Sequence, residues 1–313
     1  MTLTELRYIA AVAREKHFGR AAESCFVSQP TLSVAIRKLE EELGVALFER
    51  GPGEVALTPV GARIVEQARR VLEDAAAIKE IARQGRDPLN EPLRLGAIYT
   101  VAPYVLPHMV KWLHKRAPHM PLLIDENYTA QLAEMLRSRE LDVIVVALPF
   151  EEPGLMIQPL YDEEFVVAVP VAHPWAQRKR IAATDLAKES LLLLGSGHCF
   201  RDHVLNACPA LKRGAAPAGS LQKTVEGSSL ETIRHMVASG VGVTVLPTTS
   251  INPSEKSGLL RYIPFRRPVP DRRVVLAWRK NFPRTQAVDL VRQSILAAPL
   301  SGAIPLDLPA RAS

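Results

Sequence analysis

The chain of 313 residues lacks a long apolar run and has only three cysteines. No uninterrupted apolar stretch approaches the ~18 residues that a membrane-spanning helix needs. The first seven residues already carry charge, which is unlike a secretory signal. We therefore expect a cytoplasmic protein with no membrane partner. In that reducing compartment a cysteine pair more often senses redox state or binds metal than supports the fold.

Sequence motifs of the common enzyme classes are also missing. The chain has no glycine-rich phosphate loop, no kinase motif set, no metalloprotease helix and no credible Ser/His/Asp arrangement. Its carboxylates are scattered, and no pair is spaced for acid/base catalysis. We expect neither an enzyme nor a resident cofactor or metal.

What the chain does have is an ordinary globular composition with a basic balance. Hydrophobic residues make up 47% and charged residues 23%, and the formal net charge is +6. The length predicts two domains, or three small ones, at roughly 100–200 residues each. The positive charge permits a polyanionic partner without requiring one.

Two of the three cysteines, Cys199 and Cys208, lie in one short segment. A turn with Ser196 or Gly197 as N-cap is expected to start a helix there. In a continuous helix nine residues separate the cysteines by about 13.5 Å and place them on opposite faces. A disulfide needs Cα atoms within about 7 Å, so forming one between them would require local unfolding.

The surroundings of the two cysteines differ. His198, Arg201 and His203 lie close to Cys199 in the sequence, and neighbouring cations or a helix N-terminus favour the reactive thiolate. Cys208 precedes proline in an apolar context. Three interpretations remain open at this point: two core cysteines, a redox pair, or zinc bound with the two histidines, although the spacing is not a standard zinc pattern.

The first 58 residues have the pattern of a helix-turn-helix. A first amphipathic helix spans Leu3 to Ala13, and a short second helix begins at Phe18. Ser28 is a good N-cap for a third helix that ends at Gly44, with Pro30 in its first turn. A hairpin over residues 45–57 predicts a wing. A small helical bundle without nucleic acid is the alternative.

Residues 21–50, AAESCFVSQPTLSVAIRKLEEELGVALFER, resemble the winged helix-turn-helix of LysR-type transcriptional regulators. The resemblance implies binding of double-stranded promoter DNA. The wing tip, residues 51–54, departs from the family in lacking the basic residues often found there. Cys25 occupies a position that is usually leucine, so we expect it to be a core residue. By the resemblance, the DNA-binding residues are Ser28, Gln29, Pro30, Thr31, Ser33, Arg37 and, near the wing, Arg50.

Residues 59–90 are predicted to form a long linker helix. Large and small apolar residues alternate through three heptads and predict a homodimer, with a helix lying on its own domain as the alternative. The residues of this dimerisation stripe are Ile64, Ala68, Val71, Ala75 and Ile78.

Residues 91–300 alternate strands with helices, which predicts βαβ units and a parallel sheet. The pattern resembles the two-lobed, periplasmic-binding-protein-like (Rossmann-like) effector domain of the LysR family. The whole chain is thus expected to be α/β with an all-α N-terminal part, and residues 301–313 to form a flexible tail. Thr100, Thr129 and Cys199 each follow a strand end, so we expect them to meet in one cleft.

Within the LysR family, the cysteine segment resembles the branch that senses hydrogen peroxide. That resemblance implies that Cys199 is the peroxidatic cysteine and that Cys208 resolves it to a disulfide. It also implies a homodimer or homotetramer, RNA polymerase as a partner, control of antioxidant genes as activator or repressor, and a thiol reductant of thioredoxin or glutaredoxin type. The implied peroxide-pocket residues are Thr100, Thr129, His198, Arg201 and Asp202.

Two other functions stay open. The chain could be a LysR-type regulator whose cleft binds a small anionic inducer, with incidental cysteines. It could also be a thiol peroxidase, an activity for which a DNA-binding half has no purpose.

Overall fold

The computed structural model describes residues 1–50, 55–83, 89–212, 226–251, 258–306 and 309–312. The chain divides into two compact units, Met1–Gly85 and Arg86–Ser313. Within the described residues, no helix is both long and apolar enough to cross a membrane. Each unit has its own hydrophobic core.

The N-terminal unit is built from capped helices around a small core. Thr2 caps the first helix in a reciprocal box with Glu5, and the Ser28 side chain accepts a hydrogen bond from the Thr31 amide, as predicted. The third helix ends at Gly44, whose φ of 68° is left-handed. The elements are α1 (Leu3–Glu15), α2 (Phe18–Ser24), α3 (Gln29–Leu43), β1 (Phe48–Arg50), β2 (Val55–Leu57) and α4 (Pro59–Arg83).

The predicted wing is an antiparallel hairpin of β1 and β2, in which Phe48 lies opposite Leu57. Glu40 ties α3 to this hairpin, because its carboxylate accepts hydrogen bonds from the amides of Leu47 (2.7 Å) and Phe48 (3.3 Å). The wing tip, residues 51–54, and the side chain of Arg50 lie outside the described residues.

The linker helix α4 is partly buried within its own unit. Ala68 belongs to the core, and Ile64 and Val71 pack against it. Ile78, farther along the same stripe, is 68% exposed. The first half of the stripe therefore matches the alternative of a helix lying on its own domain, while its second half leaves an apolar side chain uncovered in the single chain. Residues 84–88, at the predicted end of the linker, lie outside the described residues.

The C-terminal unit alternates short helices with strands, which in the described residues form one large sheet and one two-stranded sheet. Its elements are β3 (Leu93–Ile98), α5 (Ala102–Arg116), β4 (Leu122–Asn127), α6 (Thr129–Arg137), β5 (Val143–Ala147), β6 (Leu155–Pro170), β7 (Leu193–Leu194), α7 (Cys199–Ala207), α8 (Pro209–Lys212), β8 (Glu226–Gly227), α9 (Leu230–Ala238), β9 (Thr244–Pro247), β10 (Leu260–Pro264), β11 (Asp271–Arg279), α10 (Thr285–Leu296), β12 (Ala303–Pro305) and β13 (Arg311–Ala312).

The large sheet is mixed, which corrects the prediction of a parallel one. β3 pairs in parallel with β4 and β5, but β11 runs antiparallel to both β5 and β6. β9 and β10 also pair antiparallel with β6. Sequence alternation indicated the βαβ units but not the return strands, because the direction of a late strand depends on pairings across more than a hundred residues.

The 16-residue strand β6 passes through two separate cores, and so defines two lobes. Its first half, with Leu155 and Leu160, packs in the first core together with β3, β5, α5 and α10. Its second half, from Phe165 to Val169, packs in the second core together with α7, α9 and β9. The two-lobed architecture predicted from the sequence is present.

The end of the chain differs from the predicted flexible tail. β12 and β13 both pair antiparallel with β6, opposite residues 161–163 and 156–157. The segment is rich in proline and alanine, but its backbone can still satisfy hydrogen bonds along β6, and composition alone does not reveal such a partner.

Candidate redox site and DNA-reading surface

The helix α7 separates the two cysteines by its full length. Cys199 is its first residue and Cys208 is its C-cap, with an amide that still donates to the carbonyl of Val204. The N-cap is His198, not Ser196 or Gly197 as expected from the sequence, and its side chain makes no capping hydrogen bond. At ~1.5 Å per residue the cysteines lie about 13 Å apart along the helix, well beyond disulfide reach.

Cys199 lies in the wall of a small cavity at the strand ends of the first lobe. The space open to the centre of a water-sized molecule is about 10 Å³, close to the minimum of about 10–15 Å³ that one water molecule needs. Three chain segments meet here, and the lining residues are Ile98, Tyr99, Thr100, Asn127, Tyr128, Thr129, Gly197, His198 and Cys199.

Gly197 allows the segment of residues 197–199 to form part of the cavity wall. Its φ of 95° belongs to the left-handed region, and an added Cβ would lie 3.3 Å from the ring of Tyr128. Only glycine turns the chain here at low cost while the backbone stays close to the aromatic ring. His198, the next residue, stacks edge-on against the same ring at 4.8 Å between ring centroids.

Two polar groups in this region are buried without a hydrogen-bond partner among the described residues: the Thr129 hydroxyl and Nε2 of His198. Such groups cost roughly 1–3 kcal/mol each in a folded protein, so they are rare without a functional reason. Burial also lowers the pKa of His198, which favours its neutral form near pH 7. The cavity therefore offers a donor and an acceptor to a small polar guest.

A buried ion pair lies behind Cys199. Arg272 on β11 and Glu163 on β6 are 2.7 Å apart, and both side chains are fully buried. The Arg272 guanidinium also donates to the Thr100 hydroxyl (2.7 Å) and the Thr100 carbonyl (2.9 Å). The second carboxylate oxygen of Glu163 accepts from the amide and hydroxyl of Thr249. The pair thus links the first lobe to the second.

The surroundings of Arg272 favour its charged form. Burial alone lowers the pKa of Arg272, but attraction to Glu163 and Cys199 outweighs it, and the net pKa lies above its ordinary value. Its guanidinium carbon lies 5.0 Å from the ring centroid of Phe200, the residue after Cys199. The fold therefore holds a permanent cation, paired with Glu163, against the ring of the residue that follows Cys199.

Cys208 has a different environment. It is 1% exposed and belongs to the second core, whereas Cys199 packs against the first. Between them, Nε2 of His203 lies 2.7 Å from the carbonyl oxygen of Leu148. The pKa of His203 is lowered by burial and by the charge of Arg272.

Two residues predicted for the peroxide pocket do not line the cavity. Arg201 donates to the carbonyl of Leu194 at 2.7 Å, and Asp202 is exposed on the outer side of α7. Thr100 and Thr129 do line one cavity with Cys199, as the strand-end argument predicted, and His198 lines the same cavity. The correction has a simple cause: one step along a helix turns a side chain by ~100°, so neighbours in sequence face different directions.

Sequence reasoning missed Arg272 and Glu163. They lie 109 residues apart, and no local spacing connects them. The only signal was a charged residue next to each of two apolar strands, which usually marks an exposed strand end. Tyr128 was also missed, because an aromatic residue before a helix is more often part of the core.

The candidate DNA-reading surface lies on α3. Gln29, Pro30, Thr31 and Arg37 are exposed, and Ser33 is half-buried. The Ser28 and Thr31 hydroxyl groups lie 2.8 Å apart and bond to each other. The opposite face, with Leu32, Ile36 and Leu39, is fully buried in the unit's core. This arrangement leaves one complete helix face free for a partner.

Cys25 packs against the same core, half-buried, at the end of α2. Within the described part of the chain, no group of three or more His, Cys, Asp or Glu side chains is placed to hold a metal ion. Cys25 and the predicted DNA surface belong to the N-terminal unit, whereas Cys199 and Cys208 belong to the C-terminal unit.

Two family models match the chain. The model for a bacterial regulatory helix-turn-helix protein of the lysR family matches residues 3–62. The LysR substrate binding domain matches residues 86–299. The first match lies within the N-terminal unit and the second within the C-terminal unit.

Similar proteins agree with these matches. The DNA-binding transcriptional dual regulator OxyR of Escherichia coli K12 is 40% identical over 298 residues, 95% of each chain. The hydrogen peroxide-inducible genes activator of Pectobacterium carotovorum is 41% identical, covering 94% of this chain and 96% of its own. A full-length OxyR variant from Pseudomonas aeruginosa has a solved structure with 50% identity, 99% coverage of both chains and a TM-score of 0.73. The chain belongs to the LysR family of bacterial DNA-binding transcription regulators, within which it is a homologue of OxyR.

Proposed function

We propose that this regulator senses hydrogen peroxide through oxidation of Cys199 and formation of a Cys199–Cys208 disulfide. The observation that carries the proposal is the placement of the two thiols at opposite ends of α7, each against a different core. One thiol lines a cavity for a very small molecule, and the other is enclosed. Relatives named for peroxide-inducible genes support the same signal.

The cavity size favours peroxide over a metabolite. A typical small-molecule site encloses roughly 300–1,000 Å³, whereas the space beside Cys199 is about 10 Å³. Hydrogen peroxide has two heavy atoms and both donates and accepts hydrogen bonds. The unpartnered Thr129 hydroxyl and His198 Nε2 are suited to such a guest.

In the first step the Cys199 thiolate attacks one peroxide oxygen. The S–O bond forms as the O–O bond breaks, so sulfur is oxidised to sulfenic acid and the departing hydroxide takes a proton to become water. Negative charge moves from sulfur to oxygen in this step. We infer that Arg272 stabilises this charge in the low-dielectric interior, because it is held by Glu163 and bonds to Thr100, which lines the same cavity as Cys199.

In the second step the thiol of Cys208 attacks the sulfenic sulfur, and a second water leaves. The helix α7 must open for the sulfurs to meet. Because Cys208 also leaves the second core, the apolar side chains around it must repack. The chemical signal is thereby converted into a rearrangement of one lobe.

The rearrangement changes DNA binding through the contacts between chains in the oligomer. We propose that the exposed stripe end at Ile78 pairs with a second chain, that α3 of each chain reads a half-site, and that dimers assemble into a tetramer. A changed lobe surface alters how the copies fit together, and hence the spacing of the reading helices. The outcome is altered recruitment of RNA polymerase at promoters of antioxidant genes, as activator or repressor.

Reset needs a dithiol reductant of thioredoxin or glutaredoxin type. Its thiolate attacks the disulfide, which releases one cysteine and forms a mixed disulfide with the other. A second thiol of the reductant then attacks the mixed disulfide, so the other cysteine leaves as a thiol and the reductant becomes a disulfide. Peroxide is consumed once for each switching event, so the chain acts as a sensor and not as a peroxidase enzyme.

The test is a peroxide titration of promoter activity in vitro for the wild type, Cys199→Ser, Cys208→Ser and the matched control Cys25→Ser. We expect the first two variants to lose the response and the control to keep it. A full response in Cys208→Ser would overturn the disulfide. A response of Cys199→Ser to a metabolite, with none to peroxide, would favour the inducer-binding alternative.

A further inference from the structure

The recognition helix α3 carries an apolar side chain where its fold does not need one. Val34 is 67% exposed, whereas Leu32, Ile36 and Leu39 on the same helix are fully buried. Pro30, Ser33, Val34 and Arg37 follow the spacing of neighbours on one helix face. Val34 therefore lies in the middle of the exposed face, between polar residues.

Folding gives no reason for valine at this position. A β-branched residue is less favourable in a helix than alanine, because the preceding turn restricts its χ1 rotation. An exposed side chain also gains little from the hydrophobic effect within the single chain. A polar or small residue would suit a solvated surface better.

We propose that Val34 reads thymine, by packing against its 5-methyl group in the major groove. This inference rests on the proposed insertion of α3 into promoter DNA and adds the base that one position selects. Valine has no side-chain donor or acceptor, so it cannot recognise the hydrogen-bonding edges of guanine, cytosine or adenine. The thymine methyl is the apolar group that the major groove presents.

The side chains around Val34 sharpen the assignment. Thr31 lies about one turn before Val34 and Arg37 about one turn after it, both are exposed, and both can bond to phosphate or to base edges. Val34 lies between them, so a base pair contacted by its methyl groups is flanked by polar contacts that fix the register. The result is discrimination at one T·A pair in each half-site.

The experiment removes the methyl group from DNA instead of from the protein. A duplex selected by the wild-type chain from a random-sequence library is remade with deoxyuridine in place of each thymine, one position at a time. Uracil keeps the pairing and hydrogen-bonding edge of thymine and lacks only the 5-methyl group. Affinity is measured by fluorescence anisotropy at one fixed salt concentration, because phosphate contacts make binding salt-dependent.

We expect one thymine in each half-site whose replacement weakens wild-type binding about fourfold, the equivalent of ~0.8 kcal/mol for one buried methyl group. Replacement in both half-sites should weaken binding about fifteenfold, since separate sites add. In Val34→Ala the same replacements should change affinity less than about twofold. Val171→Ala, an exposed valine in the other compact unit, should behave as the wild type.

Three results would overturn the assignment. The wild type could bind every deoxyuridine duplex as tightly as the thymine duplex. Val34→Ala could keep the full methyl dependence. The dependence could vanish instead in Phe26→Ala, since Phe26 in the preceding turn is 96% exposed. Preference of the wild type for the selected duplex over a scrambled one tests the proposed DNA binding separately. Loss of that preference would refute the proposed function itself.

Discussion

The two ends of α7 are opposites in chemistry although they belong to one short helix. At its start, Cys199 lines a cavity with two polar groups that have no hydrogen-bond partner among the described residues, and the buried Arg272 donates to Thr100 in the same cavity wall. At its end, Cys208 is enclosed by the apolar side chains of the second core. The start is arranged for reaction with a small oxidant, and the end is arranged for packing.

This difference shows how two cysteines that can form a disulfide stay apart until Cys199 is oxidised. Backbone hydrogen bonds along α7 and the packing of Cys208 both oppose disulfide formation. Oxidation of Cys199 adds an oxygen to a cavity that holds about one water-sized molecule, which disfavours the helical arrangement. The energy of the S–S bond then offsets the loss of one helix and part of one core.

The largest effect should come from removing the reactive end. In Cys199→Ser, we expect peroxide consumption by the purified chain to fall to the rate of a protein-free control, because a serine hydroxyl is not oxidised under these conditions. Stopped-flow measurement of peroxide loss checks this. Cys25→Ser should react as the wild type, and an equal loss in that control would mean that Cys199 is not the site of attack.

The next largest effect concerns the buried cation beside Cys199. Arg272→Met should lower the free energy of unfolding by about 3–5 kcal/mol, because it leaves Glu163 buried without its charge partner. Urea unfolding followed by tryptophan fluorescence measures it, since all three tryptophans, at positions 112, 175 and 278, lie in the C-terminal unit.

The double variant Arg272→Met with Glu163→Met is the matched control. It should recover most of the lost stability, since neither charge is then buried alone. Peroxide should still oxidise its Cys199 more slowly than in the wild type, because the fixed cation is gone. Wild-type oxidation in this stable variant would show that Arg272 is structural only.

A smaller effect is expected at Thr129, where a substitution should change the oxidation rate of Cys199 without lowering the stability of the fold. Thr129→Val removes a buried hydroxyl that has no hydrogen-bond partner among the described residues. We expect stability to stay the same or rise slightly, since no hydrogen bond is lost. The rate of Cys199 oxidation should fall about tenfold, the equivalent of one hydrogen bond of ~1.4 kcal/mol to peroxide. An unchanged rate would remove Thr129 from the peroxide site.

The smallest effect should appear on acidification. Burial lowers the pKa of His198, and burial and Arg272 lower that of His203. The unfolded chain therefore binds more protons than the folded chain as pH falls below about 6.5, and stability falls with it. Urea unfolding at about pH 7.5 and about pH 5.5 measures the loss. His203→Gln should reduce it, and a loss of the same size in that variant would exclude His203 as a source.

Much of the fold could be predicted from the sequence, because the signals for its helices and strands are local. The cap at Ser28, the end of α3 at Gly44 and the alternation of strands with helices in the C-terminal unit all depend on neighbouring residues, and the structure has them as predicted. The antiparallel return strands and the paired C-terminal segment depend on distant partners, so the sequence pattern did not reveal them.

The candidate redox site also combines features that depend on local sequence with contacts between distant residues. Strand ends at Ile98 and Asn127 place Thr100 and Thr129 beside Cys199, and the alternation of strands and helices was enough to predict this. Arg272 and Glu163 meet only because β6 and β11 are neighbours in the sheet. The orientation of Arg201 and Asp202 depends on where α7 begins. The two predicted N-caps, Ser196 and Gly197, lie two residues and one residue before the observed N-cap, His198.

Thiol mapping by mass spectrometry, before and after stoichiometric peroxide, tests the Cys199–Cys208 disulfide directly. We expect three free thiols at first, and then a Cys199–Cys208 disulfide with Cys25 still reduced. Free thiols at Cys199 and Cys208 after peroxide, or Cys199 oxidised while Cys208 stays a thiol, would contradict it.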